Sequence, residues 1–317
     1  MPGTSTTVWA AAFGNVMVAV TKGGAAFFTG SSAMLAEAIH SAVDTANEVV
    51  LLYGMRRARR TPDAAHPFGY GRELYFWSFI VALLLFGLGG VAAVIEGINR
   101  IREPHPIDRP EVVYIVLALS ALFEGSSWLI ARKGFLPSVG KGGYLAAIRA
   151  SKDPPQFIVL LEDTAALVGI AIAFAGTWAS VHWNDPRIDG VASIAIGLLL
   201  GAVAAVILRK SKELLIGERA DLNLQQQVFA IARQTAGVVA PNGMLSTQLS
   251  PDQALVALSV QFEDKLTTPE IERIVVNMEQ RIREAHPEVF VLFVKPQTPE
   301  AFAAARTRIF HVDGRLD

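Results

Sequence analysis

Glu37, His40, Asp44 and Asn47 follow one another at intervals of 3, 4 and 3 residues inside a largely apolar stretch. On a helix those intervals place all four on one stripe, with His40 and Asp44 one turn apart and able to reach the same ion. A second polar group interrupts another apolar stretch, where Glu162 and Asp163 are adjacent. Neighbours on a helix point about 100° apart, so these two cannot share one direction. One meets His40 and Asp44; the other approaches from the side, takes a proton or pairs elsewhere. An imidazole with two or three carboxylates is a hard-to-borderline donor set, suited to Zn²⁺ and also to Mn²⁺, Fe²⁺ or Co²⁺. Charged groups inside a bilayer are costly and persist where they pair, face a helix bundle or do work.

The elements that must carry these residues are membrane spans. A span needs about 20 mostly apolar residues, and six stretches qualify, at roughly 8–29, 32–55, 74–99, 111–132, 156–180 and 188–208. The stripe lies in the second, the acidic pair in the fifth. Of the 317 residues, 52% are hydrophobic and only 18% charged, with a mean hydropathy of +0.38, below the charge content of ordinary soluble domains. The formal net charge of −1 gives no basic field for nucleic acid. There is no cysteine, which excludes disulfides, thiolate metal sites and cysteine nucleophiles together. The first seven residues carry no basic segment, so a cleavable signal peptide is not expected.

Lysine and arginine gather in alternate connections. Arg56, Arg57, Arg59, Arg60 and Arg72 lie between spans two and three. Arg132, Lys133, Lys141, Arg149 and Lys152 lie between spans four and five, and Arg209, Lys210 and Lys212 follow span six. The opposite side has Arg100, Arg102, Arg109 and Arg187. The positive-inside rule then puts both termini in the cytoplasm, in a multi-pass protein of the plasma or inner membrane.

After Leu208 the composition becomes that of a soluble unit. This divides the chain into a six-helix membrane domain, 1–210, and a cytoplasmic α/β domain, 211–317. A helix is expected at 223–236, strands at Gly243–Leu249 and Ala254–Phe262, a helix at 268–285 capped by Thr268 before Pro269, and a strand at Val289–Val294. That αββαβ order is ferredoxin-like, a small sheet with helices on one face, and a common dimerisation module. His286-Pro287 ends the second helix.

On these residues the chain resembles the cation diffusion facilitator family over its full length. The matching features are His40-x3-Asp44 in span two and the acidic cluster in span five. His66-Pro-Phe-Gly-Tyr-Gly-Arg-Glu73, Pro104-His-Pro-Ile107 and the cytoplasmic tail complete them. The run from Thr29 to Asn47, paired with Leu161-Glu-Asp-Thr-Ala-Ala166, looks most like the zinc transporter 9 branch. The resemblance implies metal–proton antiport by a homodimer, with the metal held between spans two and five. It assigns His40, Asp44 and Asp163 as ligands. A further ligand usual four residues before that aspartate is Val159 here, which leaves Glu162 as the substitute, with Asn47 or water as second choices and Glu37 as a possible secondary ligand. The family's interfacial site is weakened as well: Asp63 and His66 remain, but Tyr70 stands where another histidine is common. Neither His286 nor His311 belongs to a cluster that would bind zinc in the tail, so dimerisation is expected to rest on packing.

Because histidine and carboxylates must lose their protons to coordinate, a site opening alternately to two sides exchanges metal for protons without a separate coupling device. The transported ion, Zn²⁺ first, and protons are then the partners; no organic cofactor, nucleic acid or enzymatic step is called for. Two other readings remain: a transporter of Mn²⁺, Fe²⁺ or Co²⁺ with the same mechanism, and a non-transporting membrane scaffold with a degenerate site. Glu124, deep in span four, is expected to pair with Lys22 of span one.

Overall fold

A computed structural model describes residues 3–107, 109–136, 139 and 142–310 of the chain. Apolar length and local stop signals together build its first part. Among the described residues, six helices run 26 residues or longer: α1 (Gly3–Thr29), α2 (Ser32–Ala58), α3 (Glu73–Arg102), α4 (Pro110–Phe135), α6 (Pro154–Trp183) and α7 (Arg187–Ile216). A helix of that length exceeds the roughly 30 Å hydrocarbon core of a bilayer. Four of them, α3, α4, α6 and α7, are apolar enough to cross by composition alone. The polar stripe on α2 dilutes its apolarity, so its membrane setting rests on its neighbours.

Breaks fall where the chemistry demands them. Gly30, at φ +64°, makes the turn between α1 and α2, a backbone conformation that costs glycine nothing. Proline occupies the first turn of α4 and of α6, where its missing N–H is no loss. The connection between α4 and α6 holds a short helix that the expected spans leave out, α5 (Gly143–Ala150). Lys210 of α7 donates to the Arg149 carbonyl at the end of α5. Lys141, counted in that connection, lies outside the described residues.

Helix α3 contains a π-helical segment at Leu85–Val91, and it meets α7 backbone to backbone. A Cβ on Gly97 would sit 2.5 Å from the Gly190 carbonyl oxygen, and one on Gly197 would sit 2.6 Å from that of Gly90. Ser193 of α7 also donates to the Ala93 carbonyl at 2.8 Å. Small residues let membrane helices approach this closely and gain dispersion contact along their length. The membrane core is mostly aliphatic, with Met34, Leu85, Leu117, Ile158, Ile196 and Leu200 fully buried beside the rings of Tyr75, Phe135 and Phe157.

The described chain divides into two units, Met1–Leu215 and Ile216–Asp317. In the second, α8 (Leu222–Arg233), β1 (Val238–Ser250), β2 (Gln253–Phe262), α9 (Thr268–Ala285) and β3 (Val289–Pro296) follow in the expected αββαβ order. The sheet order is β1-β2-β3, with β2 antiparallel to β1 and parallel to β3. Ala254, Val256, Leu258, Val260 and Phe262 alternate along β2 and share one core with Leu224, Val228, Met278 and Ile282, so α8 and α9 cover a single face.

Three details differ from expectation. Strand β1 begins at Val238 rather than 243, because register shifts carry the ladder past Pro241 and Gly243. The cap of α9 is Thr267 rather than Thr268. Its backbone N–H and hydroxyl both donate to the Glu270 carboxylate at 2.7 Å, a closure three residues long that Thr268 is one residue too late to make. A final helix, α10 (Pro299–Phe310), follows the last strand.

Candidate metal site

Helix α2 carries the stripe, and it is held at both ends. At its start, Ser31 caps the helix by accepting from the Met34 N–H at 3.2 Å. Asp189 of α7 accepts from the Ser32 N–H at 2.7 Å and its hydroxyl at 2.8 Å. At its end, Arg57 grips Glu73 of α3 through Nη2 at 2.7 Å and Nε at 3.1 Å. Between these anchors Glu37, His40 and Asn47 are fully buried and Asp44 nearly so.

His40 Nδ1 lies 3.3 Å from Asp44 Oδ1, the one-turn approach that the spacing predicts. The pair is not in hydrogen-bond geometry. Both ring nitrogens of His40, Asp44 Oδ1 and Asn47 Oδ1 are buried without a hydrogen-bond partner. Leaving such groups unsatisfied is expensive, and four of them on one stripe form a polar row suited to a cation or protons.

The adjacent acids of α6 diverge. Glu162 Oε1 accepts from Asn47 Nδ2 at 2.6 Å, while Asp163 Oδ2 accepts from Ser127 of α4 at 2.9 Å. Glu162 therefore faces the α2 stripe and Asp163 turns toward α4. Among the described residues, no three His, Asp or Glu side chains converge within reach of a single ion. The structure thus brings His40 to Asp44 and Glu162 to Asn47, but does not gather the four proposed ligands at one point.

Glu37 has its own partner. Lys22 of α1, fully buried, donates to Glu37 Oε2 at 3.1 Å and to Ser41 Oγ at 2.9 Å. The expected contact with Glu124 exists at 3.7 Å, but Glu37 holds the nearer place. Lysine in the first apolar stretch was one signal for this cluster; Ser127 and Asp189 gave none, since a serine or a span-end aspartate is common in any membrane helix.

In the connection between α2 and α3, Asp63 accepts from Tyr70 Oη at 2.6 Å and from the His66 N–H at 2.7 Å. The Tyr70 hydroxyl and then the His66 amide hold the Asp63 carboxyl below the usual carboxylate range. The His66 ring lies against the Tyr70 ring, tilted by 36°, with centroids 4.3 Å apart. The aspartate is thus engaged by its own loop. In the second unit His286 ends α9 and lies 3.0 Å from Glu288; His311 lies outside the described residues.

Residues 8–216 match the cation efflux transmembrane domain. The chain belongs to the cation efflux family. It is 31% identical over 254 residues to metal tolerance protein C4 of Arabidopsis thaliana, covering 80% of this chain and 56% of that protein. To the mitochondrial proton-coupled zinc antiporter SLC30A9 of Xenopus laevis it is 30% identical over 263 residues, covering 80% of this chain and 47% of the relative. To the zinc transporter ZitB of Pectobacterium atrosepticum it is 31% identical over 214 residues, 66% of this chain and 60% of the relative. The chain therefore spans about half the length of the first two curated relatives. As a member of the cation efflux family it is a multi-pass membrane protein, and the two zinc-named relatives are described as an antiporter and a transporter.

Proposed function

We propose that this chain moves a divalent metal, Zn²⁺ first, across its membrane in exchange for protons. The single observation that carries the reading is the row of unsatisfied buried atoms on His40, Asp44 and Asn47. His40, Asp44, Glu162 and Asp163 form the transport site, with Asn47 orienting Glu162. The hydrogen bonds that now hold Glu162 and Asp163 to Asn47 and Ser127 are those a metal-bound state exchanges for coordination. Glu37 serves the site through Lys22.

Protons compete with metal for the same lone pairs, so alternating access yields antiport. The names of the zinc-transporting and proton-coupled relatives support the choice of ion and counter-ion. The lysine and arginine distribution supports cytoplasmic termini, and the αββαβ unit supports a homodimer. The Asp63–His66 pair is at most a weak second site, since Tyr70 occupies the carboxylate.

The test is Zn²⁺ uptake by reconstituted liposomes under an imposed pH gradient, with Asp44→Ala alongside and Mn²⁺, Fe²⁺ and Co²⁺ as competitors. Uptake that requires both the gradient and Asp44 supports the reading. Folded protein that moves none of these ions would replace it with the scaffold reading.

A further inference from the structure

Asp189 is fully buried at the third position of α7 and has two sets of possible partners. Among the described residues, the cap and first turn of α2 supply the four hydrogen bonds that it accepts. Oδ1 accepts from the Ser31 hydroxyl at 2.9 Å; Oδ2 accepts from the Ser32 N–H, the Ser32 hydroxyl and the Ala33 N–H at 2.7, 2.8 and 3.3 Å. A carboxylate on the exposed amides of a helix start also meets the positive end of the helix dipole.

Arg100 of α3 is the other partner. It is 7% exposed, and its Nε lies 3.9 Å from Asp189 Oδ2, within ion-pair reach but too far to bond. Among the described residues, Arg100 Nε and Nη2 have no hydrogen-bond partner. A buried guanidinium with unmet donors is a high-energy arrangement, and a bidentate carboxylate relieves it.

Asp189 Oδ2 is the oxygen that both α2 and Arg100 approach. Gly97 and Gly190 press backbone to backbone, and Arg100 and Asp189 lie three residues and one residue from that contact. The two charged groups therefore ride on one rigid helix pair, whereas α2 reaches Asp189 only through its first turn. A small swing of one carboxylate moves it from α2 to Arg100.

We infer that Asp189 is a positioning residue for transport: it docks the start of α2, and Arg100 competes for it, setting the balance between docked and released α2. The inference rests on reading α2 as the helix that carries the transport site. His40 stands eight residues beyond Ser32, roughly 12 Å along the same rigid helix, so a tilt at the dock moves the ligands.

Hydrogen exchange of residues 30–36 in the full chain, without metal, reads docking directly. Asp189→Asn should speed exchange there by about tenfold, and Arg100→Gln should slow it by a similar factor, since the competitor is gone. Ser32→Ala, a milder change that keeps the amide bond, should shift exchange in the same direction as Asp189→Asn but less. In liposomes both Asp189→Asn and Arg100→Gln should lower the maximal Zn²⁺ rate by about tenfold with KM within about twofold. An Arg100→Gln protein with unchanged exchange and unchanged rate would overturn the inference and leave Asp189 a plain helix cap. If wild-type protein moves no metal, the proposed function fails, while opposite exchange shifts in the two variants still support the dock.

Discussion

Lys22 Nζ on α1 and Glu37 Oε2 on α2 meet at 3.1 Å with neither side chain reaching solvent. The same ammonium bonds Ser41, the neighbour of His40, and lies 3.7 Å from Glu124 on α4. One buried cation thus ties together three helices that surround the candidate site. Breaking a buried pair from one side leaves a charge without compensation.

Lys22→Met should therefore destabilise the membrane domain by about 3–5 kcal/mol, the usual scale for orphaning a buried charge. Lys22→Met with Glu37→Gln should recover much of that loss. Thermal unfolding of detergent-solubilised protein followed by size exclusion measures both. Equal destabilisation in the single and double variants would show that the ion pair is not the cause.

Gly169 of α6 supplies the room for this pair. A Cβ there would clash with Glu37 Oε1, an oxygen without a hydrogen-bond partner on a carboxylate whose Oε2 is held by Lys22. Gly169→Ala should cost about 1–3 kcal/mol through overpacking, and Glu37→Ala in the same chain should remove the clash. The check is the melting temperature of the four corners of that cycle.

Glu162 and Asp163 separate by partner, and substitution can read their roles. Glu162→Gln keeps an acceptor for Asn47 but removes the charge; Asp163→Asn does the same for Ser127. Each should weaken Zn²⁺ binding by about tenfold or more if it supplies a coordinating oxygen, the scale seen when metal-site partners are lost. Isothermal titration on purified protein measures it. Affinity unchanged in both would remove α6 from the site.

The Asp63–Tyr70 bond makes a pH prediction outside the membrane. Its carboxyl is held low in the folded chain, so the stabilisation is complete above the unfolded carboxylate pKa of about 3.9. It is lost as pH falls through the lower folded value. Tyr70→Phe removes the largest cause and should raise the Asp63 pKa toward the ordinary range. Carboxyl-carbon NMR of the wild-type and Tyr70→Phe proteins reports the shift; an unmoved titration would mean that the His66 amide alone sets it.

Much of the site was legible along the chain. The 3, 4 and 3 spacing of Glu37, His40, Asp44 and Asn47 is local, and a helix converts it directly into one stripe. The apolar lengths of the long helices and the alternation of β2 are likewise local patterns with one physical reading. The bounds of α9 followed from the prolines at its two ends, whereas its cap fell one residue earlier than expected because Thr267 and Thr268 are chemically equal. Only the reach of Glu270 distinguishes them.

What the sequence determined by itself was therefore the family, the long apolar helices, the αββαβ order and the identity of the polar stripe, because each is a run or period within a single segment. Tertiary structure alone decided that Glu162 turns to Asn47 and Asp163 to Ser127, that Lys22 prefers Glu37 to Glu124, and that Asp189 docks the start of α2. These are choices among chemically equivalent partners on different helices. They depend on how closely glycines such as Gly97 and Gly190 let the backbones approach, and on the room that Gly169 leaves for the Glu37 carboxylate; no one-dimensional pattern encodes those distances.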